Sequence, residues 1–456
     1  MSDVPLLRVD RLELKNFRCF AECAIGLHPE LTVLVAENGR GKTAILDAVG
    51  LALSLFVDTI GGTGQLHGLE RADVRVVQGA NGAMVPALPT EFAMEGYVAG
   101  QSLRWRRVLR GYGLRARTTK TGAESLCRAA EELRKSDRQA AERGEGALIF
   151  PLVAFYGTGR LWSEHRLTKE KRTHATDASE RVSGYIDCLS PSSSFKGMVA
   201  WYENKMSEAR DPRFSTALSK NLALLAAVQN AIRLVLEPTG WSDLDWDFER
   251  QSVVVRHPEH GRLPLSALSD GVRNMIALVA DIARRCASLN AHLSEAAARQ
   301  TPGVLLIDEV DMHLHPRWQQ TVIDLLRRTF PELQMILSTH SPHVLSTVDR
   351  ESIRVVSVRD GHGSIETPTF QTRGVESADV LSSIMRVDPI PQIEEAAWLS
   401  VYRAQIENGE AQSEAGESMR AKLVAHFGAT HPVMLDCARL LRFQAYKRTR
   451  SKGEEA

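Results

Sequence analysis

The sequence predicts an α/β fold: a mainly parallel sheet covered by helices, joined to an antiparallel β subdomain, a helical lobe and a C-terminal helical tail. Three observations carry this. A short continuous apolar run, Leu31-Thr-Val-Leu-Val35, enters a glycine-bearing loop that opens an apolar helix. Further apolar runs at 148–155, 304–307 and 335–337 alternate with stretches of helical periodicity. After Pro389 the composition turns helical and charged as far as about residue 450.

The elements follow in chain order. Leu12-Glu-Leu14 and Phe17 alternate apolar with polar, as a half-buried strand does. Ala44 to Phe56 is apolar at helical spacing. Residues 57–86 are glycine-rich and read as loop. From about Glu91 to Thr119 the pattern is antiparallel strands, with Gly111-Tyr-Gly113 as the turn. Residues 121–144 read as a solvated helix, and 160–237 as mainly helical with a break at Ser190–Ser194. Val253-Val-Val255 begins a short strand, 271–299 reads as one long helix, and another helix spans about Arg317 to Thr329. The expected organisation is a head over 1–375, with a mainly helical lobe at about 160–265, and a helical module over 376–456.

Composition narrows the class. The chain has 456 residues, 43% hydrophobic and 25% charged, with 56 basic and 56 acidic side chains. That is ample material for a core and excludes a generally polycationic coat protein. No stretch approaches the roughly 18 uninterrupted apolar residues of a membrane span, and the start has no secretory pattern. Six cysteines are too sparse for a disulfide scaffold and read as buried thiols. The expectation is a cytoplasmic protein without a membrane anchor.

Ala36-Glu-Asn-Gly-Arg-Gly-Lys-Thr43 matches the phosphate-loop pattern G-x-x-x-x-G-K-[ST] except for alanine at its first position. Backbone N–H groups around Asn38, Gly39, Arg40 and Gly41, with the helix N-terminus, would wrap nucleotide phosphates. Lys42 would reach the β- and γ-phosphates, and Thr43 would ligate Mg²⁺. Alanine at 36 is the mildest loss at a glycine site, adding only a methyl, which leaves room for a tighter loop and slower turnover. Val304-Leu-Leu-Ile-Asp-Glu309 has the Walker B form. Asp308 would hold Mg²⁺ and Glu309 would orient or deprotonate the attacking water. His340, in Ser338-Thr-His340 after the next apolar run, would hydrogen-bond the γ-phosphate. Ser269 and Gly271, in Leu268-Ser-Asp-Gly271 before a long helix, suit an anion site, and equally a helix cap formed by Ser269 or Asp270.

In this order the motifs resemble the ABC-type ATPase heads of the SMC, RecF and OLD families, over about residues 8–350. Leu14-Lys-Asn-Phe-Arg18 is similar to their opening strand, and Asp311-Met-His-Leu-His-Pro316 to the D-loop of RecF- and OLD-like members. The resemblance narrows at Ala154-Phe-Tyr-Gly-Thr-Gly-Arg-Leu-Trp162, Gly184-Tyr-Ile-Asp-Cys-Leu189 and Trp201. Trp398-Leu-Ser-Val-Tyr-Arg403 and His426 to Pro432 continue it. These segments are similar to the PtuA ATPases of Septu and related retron defence systems. The resemblance implies ATP and Mg²⁺ as cofactors, Arg18 among the nucleotide-binding residues, a homodimer or higher oligomer, and an HNH endonuclease partner of PtuB type. It places Ser269 and Gly271 against the nucleotide held by the other chain of a dimer.

Departures from the pattern are Ala36, Val272 after the signature where many relatives carry Gln or Glu, and the lack of a clear Q-loop glutamine. The sequence shows neither the carboxylate pattern of a Toprim nuclease nor a long heptad insertion, so any cutting of nucleic acid would come from a partner. Arg104 to Lys120 holds seven basic residues and no acid, with Trp105 and Tyr112 among them. It suits contact with nucleic acid, phosphates on the cations and bases on the rings, and equally a solvated strand edge. The second segment, Arg160 to Arg172, is basic but carries acids. Two other roles share the fold: a RecF-like repair ATPase that clamps DNA, and a nucleotide-gated scaffold with little hydrolysis.

Overall fold

The structure, a computed structural model, describes residues 4–62, 64, 68–113, 118, 121–160, 181–190, 195–211 and 218–454. Several expectations therefore lie outside the described residues: Trp162, the basic segment beyond Arg160, the break after Ser190, and six residues of the Arg104–Lys120 patch. The described residues form two compact units, 1–380 and 381–456.

The first unit is built on fifteen strands: β1 (Leu7–Phe17), β2 (Phe20–Gly26), β3 (Leu31–Val35), β4 (Val76–Gln78), β5 (Met84–Pro86), β6 (Thr90–Val98), β7 (Gln101–Leu109), β8 (Leu152–Tyr156), β9 (Ser242–Asp247), β10 (Ser252–His257), β11 (Gly261–Pro264), β12 (Gly303–Ile307), β13 (Leu333–Ser338), β14 (Ile353–Arg359) and β15 (His362–Glu366). Ten form one sheet in the order β7-β6-β1-β2-β15-β14-β3-β13-β12-β8. Strands β14, β3, β13, β12 and β8 pair in parallel, whereas β2-β1-β6-β7 is an antiparallel meander. The antiparallel region is thus hydrogen-bonded into the same sheet as the parallel half. β3, β8, β12 and β13 are buried at every residue, which explains their unbroken apolar runs.

Helix α1 (Lys42–Ile60) is apolar nearly all round because it is sunk in the core, where Ile45, Leu46, Val49, Leu53 and Phe56 are fully buried. Each such side chain contributes roughly 1.5–3 kcal/mol by leaving water. Two helices, Lys42–Ile60 and Leu218–Thr239, are long and apolar enough to cross a bilayer by composition, although neither holds an uninterrupted apolar run of span length. α1 is mostly buried inside the protein, which accounts for its apolarity.

α2 (Glu124–Arg143) appears where expected but buries Leu126, Ala129, Ala130 and Leu133 along one stripe. α3 (Phe195–Arg210) and α4 (Leu218–Leu236) supply the helical lobe, and its C-terminal end is a separate sheet of order β11-β10-β9. The hairpin β6–β7 turns at Ala99–Gly100, both left-handed, whereas the segment following the turn expected at Gly111-Tyr-Gly113 lies largely outside the described residues. A two-residue turn of that hand matches strand twist, and Ala99 supplies it without the usual Asn or Gly signal.

The predicted single helix over 271–299 is instead interrupted. α5 (Asp270–Leu289) ends at Asn290, Ser294 leaves helical geometry, and a short helix resumes at 297–300. Asn290 explains the break. Its side chain accepts from the Phe150 N–H at 2.8 Å and donates to the Phe150 carbonyl at 2.9 Å and to Thr301 Oγ1 at 3.0 Å. It thereby satisfies both backbone groups of a residue just ahead of β8. α6 (Val322–Thr329) joins β12 to β13 as a crossover.

The second unit packs α7 (Glu394–Asn408), α8 (Glu414–Phe427) and α9 (Pro432–Glu454) around Tyr402, Ile406, Leu423, Met434 and Cys437. Gly409 closes α7 in a left-handed cap, and Ser413 Oγ caps α8 by accepting from the Gly416 N–H. Trp398 lies under the Lys422 ammonium at 3.6 Å.

Replacing Asn290 by alanine should orphan the Phe150 amide and carbonyl in a buried place, at a cost of about 1–3 kcal/mol. Thermal unfolding of the full chain should shift down measurably, and an unchanged melting profile would refute this account of the break.

Candidate functional site

The site is assembled by the order of three parallel strands. Because β13 lies between β3 and β12, the loops leaving their carboxyl ends converge. Ligands bind at such carboxyl ends in open α/β sheets. The loop after β3 carries Asn38, Gly39 and Arg40, all exposed, then Gly41, Lys42 and Thr43 at the start of α1. Gly39 and Gly41 have φ of 74° and 94°, a hand that glycine adopts without strain. A Cβ on Gly41 would also come within 2.4 Å of the Phe20 ring. Ala36 is not among the residues with left-handed backbone. The alanine therefore introduces no strain of that kind at the first position.

The ammonium of Lys42 folds back over the loop and donates to the carbonyls of Ala36 at 2.9 Å and Glu37 at 3.3 Å. Burial pulls its pKa down, opposed by the carboxylates of Asp308, Glu309 and Asp311. Thr43 Oγ1 donates to Asp308 Oδ2 at 2.8 Å, joining the phosphate loop to the end of β12. Ser338 Oγ bonds the other oxygen of Asp308 and accepts from the Glu309 N–H at 2.8 Å. Glu309 itself has φ of 48°, unusual for glutamate and a form of strain that collects at functional sites.

His340 follows on the loop after β13, half-buried. Burial and then the Lys42 charge lower its pKa below the ordinary 6.5, against Glu309, Asp311 and Asp308. Thr339 Oγ1 ties Asp311 to the same loop. Lys42, Thr43, Asp308, Glu309 and His340 thus come together from three segments.

Arg18 does not join the loop. Its guanidinium pairs with Asp47 of α1 and, at 2.9 Å, with Asp73. Burial opposes its charge, and the two carboxylates outweigh that and raise its pKa. Arg40 pairs with Glu37 at 3.2 Å and donates to the Val358 carbonyl.

Ser269 is the N-cap residue of α5 but makes no side-chain capping bond, and Asp270 pairs with Arg273. Gly271 is pressed against the D-loop segment, where a Cβ would meet the His313 carbonyl oxygen at 2.6 Å. No hydrogen bond joins Ser269 or Gly271 to the phosphate loop or Asp308 among the described residues.

Sequence reasoning missed a buried network behind the site. The Tyr156 carbonyl accepts from the Asp308 N–H at 2.8 Å, and its hydroxyl donates to Asp281 of α5 at 2.8 Å. Burial pushes Asp281 up, but Arg284 and Arg285 outweigh it and hold it well below the usual carboxylate range. Arg285 also donates to the carbonyls of Gly184 and Ile186. The acid–arginine pairs at i,i+3 and i,i+4 in one helix were the available signal. Ser338 and Thr339 were also missed as bonding groups, although they directly precede His340.

The Arg104–Lys120 segment differs from its expectation. Trp105 is 1% exposed and donates its indole N–H to the Ala52 carbonyl, and Arg107 is 4% exposed. Strand alternation puts both on the inner face against α1. Arg104 and Arg106 face outward and pair with Glu13, Glu95 and Glu91, and Arg71 covers the ring of Tyr112. No ring here is presented as the expected platform for bases.

A family model described as "AAA domain" matches residues 11–226, and one described as "AAA domain, putative AbiEii toxin, Type IV TA system" matches 195–346. The "Retron Vc95 probable ATPase" of Vibrio cholerae serotype O1 biovar El Tor is 24% identical, covering 89% of this chain and 84% of that one. The "Retron Ec83 probable ATPase" of Escherichia coli is 25% identical, covering 94% and 86%. The Septu protein PtuA of Bacillus mycoides (strain KBAB4) is 39% identical over 78 residues, 17% of this chain and 10% of that one.

In a titration followed by nuclear magnetic resonance, nucleotide-free His340 should take up its proton below pH 6.5, and Lys42→Ala should move that midpoint upward. The unfolded chain binds this proton more tightly than the folded one. The stability tied to neutral His340 is therefore full above about pH 6.5 and lost as pH falls through the lowered midpoint. A midpoint that Lys42→Ala leaves unmoved would remove Lys42 as a cause.

The ordered motifs, their convergence at three parallel strand ends and the matches over most of the chain lead to one conclusion: the chain has the architecture of an ABC-type ATPase head followed by a helical unit, and is similar over most of its length to the retron probable ATPases.

Proposed function

We propose that the chain binds ATP with Mg²⁺ at the loop 36–43 and hydrolyses it as the regulatory ATPase of an anti-phage defence complex. The observation that carries the site is the bond from Thr43 to Asp308, across 265 residues of chain. It pairs a hydroxyl and a carboxylate that both suit a hard cation. Thr43 and Asp308 would hold the ion, which supplies charge neutralisation at the β- and γ-phosphates. Lys42 would exchange its two carbonyl partners for phosphate oxygens. The N–H groups of 38–41 would cradle the phosphates. Glu309 would orient the attacking water and accept its proton, and His340, held neutral, would donate to the γ-phosphate. Arg18, fixed by Asp47 and Asp73, would act at the edge of this site by steadying the start of α1.

Ser269 and Gly271 would complete a second chain's site. The uncapped, exposed Ser269 hydroxyl supports this, since it sits at the N-terminus of a twenty-residue helix. Two heads would then enclose two nucleotides, and ATP would favour the closed pair by contacts that only that state makes. Residues 1–375 would serve as the head and 376–456 as a helical module for assembly, a division supported by the compact units 1–380 and 381–456. The resemblance to PtuA supports an HNH endonuclease of PtuB type as the regulated partner. The similarity to retron ATPases supports a place in retron-type defence.

Lys42→Ala should abolish ATP turnover by purified protein. Glu309→Gln should slow turnover at least a hundredfold and, with ATP and Mg²⁺, yield a dimer or larger species by light scattering. A Glu309→Gln protein that turns over normally and shows no added mass with ATP would sink the assignment. Ser269→Arg should leave ATP binding in place and prevent that ATP-dependent gain in mass. Co-expression with the genomic neighbour, followed by mass measurement, tests the nuclease partner: recovery of this chain alone counts against it.

A further inference from the structure

The outer face of α9 differs from the rest of the chain. The whole sequence balances 56 basic against 56 acidic side chains, yet Arg439 to Lys452 holds six basic residues and no acid. Within that stretch Phe443 and Tyr446 stand 61% and 64% exposed. Helical spacing explains the arrangement. Residues 435, 439, 442, 443 and 446 fall at i, i+4, i+7, i+8 and i+11, which is one stripe of a helix. The opposite stripe, Met434, Cys437, Leu440 and Leu441, is packed into the core of the three-helix unit. The helix has therefore already covered its apolar face, and the aromatic rings on the outer one fill no core.

Guanidinium groups interleaved with exposed rings are the chemistry that single-stranded nucleic acid requires. The cations neutralise phosphates, and the rings stack on bases that no complementary strand covers. A helix that lies on a membrane has a different layout, with a broad apolar face kept apart from its basic one. On α9 the two arginines and the two rings share one face. We propose that the exposed face of α9, centred on Arg439, Arg442, Phe443 and Tyr446, is a docking surface for single-stranded nucleic acid. This differs in place from the 104–120 segment, where the indole is buried; on α9 both rings are exposed, while Arg439 also pairs with Asp436 at 3.1 Å.

The test is fluorescence anisotropy of a labelled mixed-sequence single-stranded DNA, about twenty nucleotides long, titrated with the full chain in EDTA without ATP. Its readout is independent of the nucleotide site, so failure here leaves the ATPase assignment standing. Affinity should fall as salt rises, with a slope of roughly 0.7 per phosphate contact. The variant Arg439→Ala/Arg442→Ala/Lys447→Ala should bind at least tenfold more weakly and show a flatter slope. The variant Phe443→Ala/Tyr446→Ala should also bind at least tenfold more weakly, with the slope of the parent. Unchanged helicity by circular dichroism and unchanged ATP turnover would show that both variants are folded. No binding by the parent chain overturns the proposal, as does parental affinity in either variant. So does displacement of the strand by duplex DNA, polyglutamate or anionic vesicles as readily as by unlabelled single strand.

Discussion

One carboxylate organises the head. Asp308 stands at the end of β12 with both oxygens engaged, one by Thr43 from the loop after β3 and the other by Ser338 at the end of β13. Its backbone N–H is held by Tyr156 at the end of β8. Four parallel strands are thereby registered at one point, 2% exposed to solvent. A buried carboxylate is tolerable only when such partners surround it, so the motif residues also serve as the sheet's own staples. A metal ion entering between Thr43 and Asp308 would replace a hydrogen bond that already fixes their approach.

The same economy runs outward from the sheet. Arg18 links the first strand's turn to α1 and to Asp73, so the antiparallel meander and the phosphate-loop helix are tied by charge as well as by backbone. Behind the site, the Asp281–Arg284–Arg285 cluster is buried but fully satisfied, the condition under which a buried ion pair does not cost stability outright. Through Tyr156 it sets the position of α5 against β12, and the close approach of Gly271 to His313 sets it a second time. The signature end of α5 and the Walker B end of β12 therefore behave as parts of one body within a chain.

Much of this was legible because each motif is local: a buried strand, its terminal polar residue and the loop that follows are contiguous in sequence. The α/β class, the convergence of Lys42, Thr43, Asp308, Glu309 and His340, and the helical end of the chain all follow from such contiguous signals. What escaped depends on distance or on which face a residue takes. Asp281 and Tyr156 are 125 positions apart, and neither announces the other. Trp105 and Arg104 are neighbours in sequence, and only the pairing of β7 with β6 decides that one goes inward and the other out. The break at Asn290 depends on Phe150, 140 residues earlier. The motif that holds Arg18 names neither of the two acids it pairs with, Asp47 and Asp73.

Ala36 has a further consequence for how such loops are defined. Its neighbours at 39 and 41 need glycine, because their backbone is left-handed and, at 41, because an aromatic ring closes the space. At 36 the working atom is the carbonyl oxygen, which meets the Lys42 ammonium at 2.9 Å, while the side chain is turned inside. Every amino acid has that oxygen. In this chain the first position of the phosphate-loop pattern therefore asks for small size and not for a left-handed conformation. Chains with small residues there, discarded by a strict reading of the pattern, belong among the candidates for nucleotide-driven machines.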